Sequence, residues 1–119
     1  MIEPLEYKEL AAKLLEKTKA GKLTWIELEG RRSETFYCDL DSQYTFSVWK
    51  EGDSYGLNMK PQSSSRVLFA IQEQEEIYFS DPKRKEIFEV LSDLYELARR
   101  QALNLPDKLA NVAELLDKI

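Results

Sequence analysis

The sequence predicts an α+β fold: a two-layer sandwich in which an antiparallel meander of about six strands is flanked by one N-terminal and two C-terminal helices. Three observations predict it. Apolar residues recur at helical spacing over residues 4–20 and again beyond 82. Between those segments they alternate with period two, and the alternating runs are joined by short polar turns. Short links favour antiparallel neighbours, and a sheet with one apolar face needs helices to cover it. No linker, repeat or low-complexity tract divides the order α-β6-α-α, so residues 1–119 read as one α+β domain.

The first helix runs from Glu3 or Pro4 to Ala20. Tyr7, Leu10, Ala11, Leu14, Leu15 and Thr18 form one stripe, with Lys and Glu opposite. Pro4 suits a first turn, and Gly21 is a natural C′ residue because it takes a left-handed conformation cheaply. Leu23-Thr-Trp-Ile-Glu-Leu-Glu29 is a blurred first strand, ended by the turn Gly30-Arg31-Arg32-Ser33. In the second strand Phe36, Cys38 and Leu40 share a face. In the third, Tyr44, Phe46 and Val48 point one way and Thr45, Ser47 and Trp49 the other. Tyr55, Leu57 and Met59 mark the fourth, Val67, Phe69 and Ile71 the fifth, Ile77 and Phe79 a sixth over 76–80. Lys60-Pro-Gln-Ser-Ser-Ser65 is a polar loop.

Ser80 or Asp81 then caps a second helix with Pro82 near N1. It extends to about Leu103, where Asn104 can stop it. Ile87, Leu91, Leu94, Ala98 and Ala102 give its buried stripe. The last helix follows Leu105-Pro106-Asp107, and Leu105, Leu109, Val112, Leu116 and Ile119 make a narrow seam.

Composition excludes several kinds of chemistry. The chain has 17 Lys and Arg, 22 Asp and Glu, one Cys and no His, for a net charge of −5. Without His there is no Ser-His-Asp or Cys-His unit and no imidazole metal ligand. One Cys makes no Cys-x-x-Cys site and no internal disulfide. The charge is spread evenly: 9 basic and 11 acidic residues over 1–60, and 8 and 11 over 61–119. With no basic stripe, nucleic acid is not an expected partner. No uncharged stretch approaches the roughly 18 residues that span a bilayer. The N-terminus has no signal-peptide pattern, so no membrane association and a cytoplasmic location are expected.

Carboxylates, serines and cations are what remain. Asp39 and Asp41, at i and i+2, could share a side for a metal or for acid–base work, but no local third carboxylate joins them and Asp41 begins a turn. Ser63, Ser64 and Ser65 have the character of a solvated loop, and the four glycines form no phosphate-binding pattern. No catalytic residue, metal site or cofactor is expected.

Three candidate binding features stand beside their plainer structural explanations. Lys83-Arg84-Lys85 places cations at a helix start whose dipole prefers acids, so it could hold a phosphate or an acidic segment; alternatively Asp81 compensates and the cations are simply solvated. Tyr95 and Arg99, with Tyr44 and Phe46, could line an anion pocket between sheet and long helix, whereas a structural pairing of one of Arg99 and Arg100 with Glu96, Asp93 or a strand-edge acid is the simpler arrangement. Trp49 and Tyr37 lie on the sheet face opposite the helix-covered one. A Trp there marks a contact surface, a dimer face, or a face closed by the last helix.

Leu14-Leu-Glu-Lys-Thr-Lys-Ala-Gly-Lys-Leu-Thr-Trp25 and Leu94-Tyr-Glu-Leu-Ala-Arg-Arg-Gln-Ala102 resemble segments of small uncharacterised bacterial proteins. In these a helix ending in Gly-Lys and a Trp precede a sheet, and a Leu-Tyr-x-Leu-Ala-Arg-Arg helix follows it. The resemblance implies a bacterial origin and the helix-sheet-helix order, and carries no activity. The expected function is a non-enzymatic interaction or regulatory module binding a protein partner or itself, as a homodimer. The alternatives are an acidic chaperone or immunity-type protein that masks a partner, and a small anionic-ligand-binding domain.

Overall fold

A computed structural model describes residues 4–74 and 82–119. Helix α1 spans Pro4–Lys19. Strands β1 (Ile26–Glu27), β2 (Glu34–Leu40), β3 (Tyr44–Glu51), β4 (Ser54–Pro61) and β5 (Phe69–Gln74) come next. Helices α2 (Pro82–Ala102) and α3 (Leu105–Asp117) complete the chain. The sheet is an antiparallel meander in the order β1-β2-β3-β4-β5. It has five strands rather than the expected six; the sixth expected run, 76–80, lies outside the described residues, as do the capping residues Ser80 and Asp81.

Helix α1 ends as its sequence dictates. Gly21 sits at φ 73°, its N–H donates to Thr18 O, and the Lys22 N–H donates to Lys17 O, the paired bonds of a Schellman cap. The segment beyond this cap accounts for the blurred strand. Leu23 and Trp25 are buried against the helices rather than alternating along a pleat, so only Ile26 and Glu27 pair with β2. The Trp25 indole N–H donates to the Thr18 hydroxyl (2.9 Å), which itself donates to Leu14 O (2.7 Å). The Gln101 amide clasps the same segment from α2, accepting from the Trp25 N–H (2.6 Å) and donating to Leu23 O (3.0 Å). These polar groups are thereby satisfied, which their burial requires.

One face of the sheet carries the core. Phe36, Cys38, Phe46, Val48 and Leu57 are buried under Ile87, Leu91, Leu94, Tyr95 and Ala98 of α2, with Ala11 and Leu14 of α1 alongside. Phe36, Tyr55, Phe88 and Tyr95 form a chain of tilted and edge-to-face ring contacts with centroids 5.4–5.8 Å apart. Tyr7 of α1 reaches Phe69 of β5 in the same manner, and Lys8 pairs with Glu86 across the two helices (2.9 Å). Leu40 and Tyr44 continue the apolar face at the end of the β2–β3 hairpin but remain exposed.

Tight turns set the register. Asp41 and Ser42 both take positive φ, 50° and 55°, in a turn closed by the Gln43 N–H on Leu40 O. Gly52, at φ 59°, opens the two-residue link that pairs Glu51 with Ser54. Asn104 at φ 53° stops α2 and starts α3. Helix α3 buries none of its residues and extends away from the rest. The Cα radius of gyration of 15.8 Å and a longest extent of 57 Å record this, against about 13.5 Å for a compact chain of this length. No helix among the described residues is long and apolar enough to cross a membrane.

Candidate functional site

Among the described residues no helix lies on the second face of the sheet: α1 and α2 pack on the first, and α3 buries nothing. The strand register places Tyr37, Ser47 and Asn58 in one row across it, Asp39, Thr45 and Lys60 in a second, and Thr35, Trp49 and Gly56 in a third. The loop at Gly30–Ser33 and the loop leading into β5 rise beside this face. Together they enclose an open groove of about 960 Å³. Arg31 and Arg32 line it from the first loop, Ser65 and Val67 from the second, and Tyr37, Ser47, Trp49 and Asn58 from the sheet.

Trp49 is the centre of this surface, and Gly56 explains its pose. The two are directly opposed on β3 and β4. A Cβ added at Gly56 would lie 2.1 Å from Cε2 and Cζ2 of the indole. The ring therefore lies flat on the bare backbone of Gly56, a position that no other residue at 56 permits. Glycine weakens a strand interior, and an aromatic laid over it from the neighbouring strand restores the lost packing. One side of the indole is covered in this way, which is why Trp49 is half-buried while it still lines the groove.

The polar groups around Trp49 are small and mutually engaged. The Thr45 hydroxyl donates to Asp39 Oδ1 (2.7 Å), and Thr35 donates to Ser33 O (3.0 Å). Asp39 is thus a cross-strand partner of Thr45, and Asp41 sits in the turn with the Gln43 amide (3.3 Å) rather than continuing the strand beside it. Lys60 reaches Ser64 O at 3.4 Å, tying the base of its loop to the groove.

The other candidates go elsewhere. Arg84 lies against Glu73 of β5, its Nε 3.0 Å from Oε2 and its second nitrogen 3.3 Å from Oε1. Glu73 is only 3% exposed. Arg84 is therefore the counter-charge of a buried carboxylate, which corrects its expected place in an anion site formed by Lys83-Arg84-Lys85. Lys83 and Lys85 are exposed at the start of α2 and make interactions of their own.

Tyr95 and Arg99 converge on Glu34 at the start of β2, the strand-edge acid of the structural alternative. The Tyr95 hydroxyl donates to Glu34 Oε1 (2.6 Å), and Arg99 Nε donates to the same oxygen. Burial pushes the Glu34 carboxyl up, but the hydrogen bonds from Tyr95 and Arg99 outweigh it and hold its pKa below the ordinary value. Burial first, and the Glu34 carboxylate second, push the Tyr95 phenol well above its ordinary range. The hydrogen bond to Glu34 raises Arg99 further. Tyr44 stands at the other end of the sheet, since Leu40 pairs with Tyr44 while Glu34 pairs with Lys50. Of the residues expected to line an anion pocket, Tyr95 and Arg99 meet but are occupied by Glu34, and Tyr44 does not join them.

Of the candidates, the structure brings together Trp49 and Tyr37, and adds Arg31, Arg32, Lys60, Ser47 and Asn58 around them. The last helix does not close this face, contrary to one of the expected arrangements, because α3 is directed away and buries nothing. The fold and the groove define the class: an α+β protein with helices on one side of an antiparallel sheet and a concave aromatic-polar surface on the other. Comparison of the chain with family models, with curated proteins and with solved structures finds no match.

Proposed function

We propose that this chain is a non-enzymatic protein-interaction module of the bacterial cytoplasm, and that it takes its partner on the open face of the sheet. The observation that carries the reading is Trp49 held flat on Gly56 inside the groove. A rigid aromatic anchor flanked by arginines is the composition of an interface hot spot: large apolar area, little rotamer freedom to lose, and polar groups at the rim to exclude water. Arg31, Arg32 and Lys60 outnumber Asp39 and Glu51 in the lining and favour a partner that brings carboxylates or carbonyl oxygens to the arginine side of that rim.

The groove contains hydroxyls, an amide, cations and the carboxylates of Asp39 and Glu51, and we take it for a binding surface in which the Asp39 carboxylate serves to hold Thr45 across the strands. Affinity capture from the native host, with the wild-type chain and Trp49→Ala as parallel baits, tests the reading. A discrete protein held by the wild type and lost from a folded Trp49→Ala bait is expected. Equal capture by both baits contradicts it.

A further inference from the structure

Helix α3 is a separate surface, and its own sequence specifies what covers it. Leu109, Val112, Leu115, Leu116 and Ile119 are each about half or more exposed, Leu109 at 62% and Leu116 at 63%. A helix of 13 residues that buries nothing is marginal in water, because helices in proteins are held mainly by packing of an apolar face. We propose that α3 pairs antiparallel with α3 of a second copy of this chain, giving a twofold dimer in which both open sheet faces remain available.

Three features select that occupant. Leu105, Leu109, Val112, Leu116 and Ile119 step by four, three, four and three, the spacing of a seam that packs knobs into the holes of a like seam. At about 100° per residue Asp107 and Glu114 fall on the opposite side, and the seam is flanked by Lys108 and Leu115 on one edge and by Pro106 and Ala113 on the other. No carboxylate meets its own copy, antiparallel packing sends the two Lys108 side chains to opposite ends, and the helix dipoles oppose. Leu109, Val112 and Leu116 are exposed side by side along the helix, so pairing with a like seam takes this apolar surface of both copies out of water at once.

The open groove is a poorer acceptor for this seam. Its lining carries Arg31, Arg32, Asp39, Glu51, Asn58 and Lys60, and five aliphatic side chains would strip water from these groups without replacing its hydrogen bonds.

Sedimentation of the full chain at micromolar concentration, together with that of Leu109→Glu/Leu116→Glu, tests the pairing. Both substitutions lie on a surface that contributes nothing to the core, so the double variant keeps a cooperative unfolding transition and loses only the helical circular dichroism of the unpaired α3. The wild type sediments at twice the chain mass of 13.9 kDa, and the double variant at the chain mass. A Leu109→Cys chain mixed with a Val112→Cys chain forms a disulfide-linked dimer on oxidation, because the proposed antiparallel register sets Leu105 opposite Leu116 and these two positions in one layer. A monomeric wild type, a dimer indifferent to the double variant, or a dimer that yields no such cross-link overturns the proposal. A dimer lost in Trp49→Ala and kept in the double variant also overturns it, and assigns self-association to the sheet face instead.

Discussion

At Glu34 a single carboxylate oxygen receives both the Tyr95 hydroxyl and the Arg99 guanidinium. Because the folded state holds this carboxyl below its ordinary value of 4.5, the stability it contributes is present at neutral pH and is lost as pH falls through the folded pKa. Replacing it by Gln removes the charge and keeps the shape. Glu34→Gln should cost about 1 kcal/mol at pH 7, a modest value because solvent screens a partly exposed pair. The difference in Tm between wild type and variant should shrink below about pH 4.5, the ordinary carboxyl value; a difference independent of pH would refute the assignment. Cys38 behaves oppositely. Burial, with the Asp39 charge adding to it, pushes the thiol up to about 12. At pH 8 the native chain should therefore react with a thiol reagent only as fast as it unfolds, and modification at the rate of a free thiol would show that the core face is open.

Within the β3–β4 hairpin, Trp49 and Gly56 act as a pair. A Gly56→Ala methyl would meet the indole at 2.1 Å, so the ring must swing off the strand. The substitution should lower stability by about 1 kcal/mol, within the range of cross-strand aromatic pairs. In the Trp49→Ala background that cost should disappear, which a double-mutant cycle on denaturation midpoints measures directly. Additive costs would mean that the two positions are not in contact. This pair was legible in the sequence and was missed there. The two-residue link Gly52-Asp53 fixes Glu51 opposite Ser54, and counting outward places Trp49 opposite Gly56. Arg31, Arg32 and Lys60 escaped for another reason: each was explained as a turn or loop residue, and only the rise of two loops beside one face makes them neighbours. The stripes of α1 and α2 and the core sides of β2 and β3 could be read because a repeating period overdetermines them. The first strand could not, since Leu23 and Trp25 answer to Thr18 and Gln101 rather than to a pleat.

Across the whole molecule, what holds helices to sheet is contact between residues far apart in the chain. Arg84 and Glu73 are 11 positions apart, Tyr95 and Glu34 are 61, and Gln101 and Leu23 are 78. No local pattern encodes such partners, which is why Arg84, Arg99 and Tyr95 looked like available groups before the fold was in view. Removing one of them exposes the dependence: Arg84→Ala leaves Glu73 buried without a counter-charge and should cost about 2 kcal/mol, less than for a fully enclosed pair because Arg84 is partly exposed. Chemical denaturation compares this variant with Glu73→Gln/Arg84→Met, which should recover most of the loss; a double variant as weak as the single one would mean that the charge is not the cause.

The division of labour is then simple. One face of the sheet, with α1 and α2, makes the fold, and the other face, centred on Trp49, is the one we propose takes the partner. The most direct measurement is photo-cross-linking in the native host from a photoreactive residue placed at Asn58, inside the groove, compared with one at Glu89, exposed on the outer side of α2. A discrete adduct from position 58 that Trp49→Ala abolishes, with none from position 89, is the predicted result. Adducts of equal yield from both positions, or none from 58, would contradict the account.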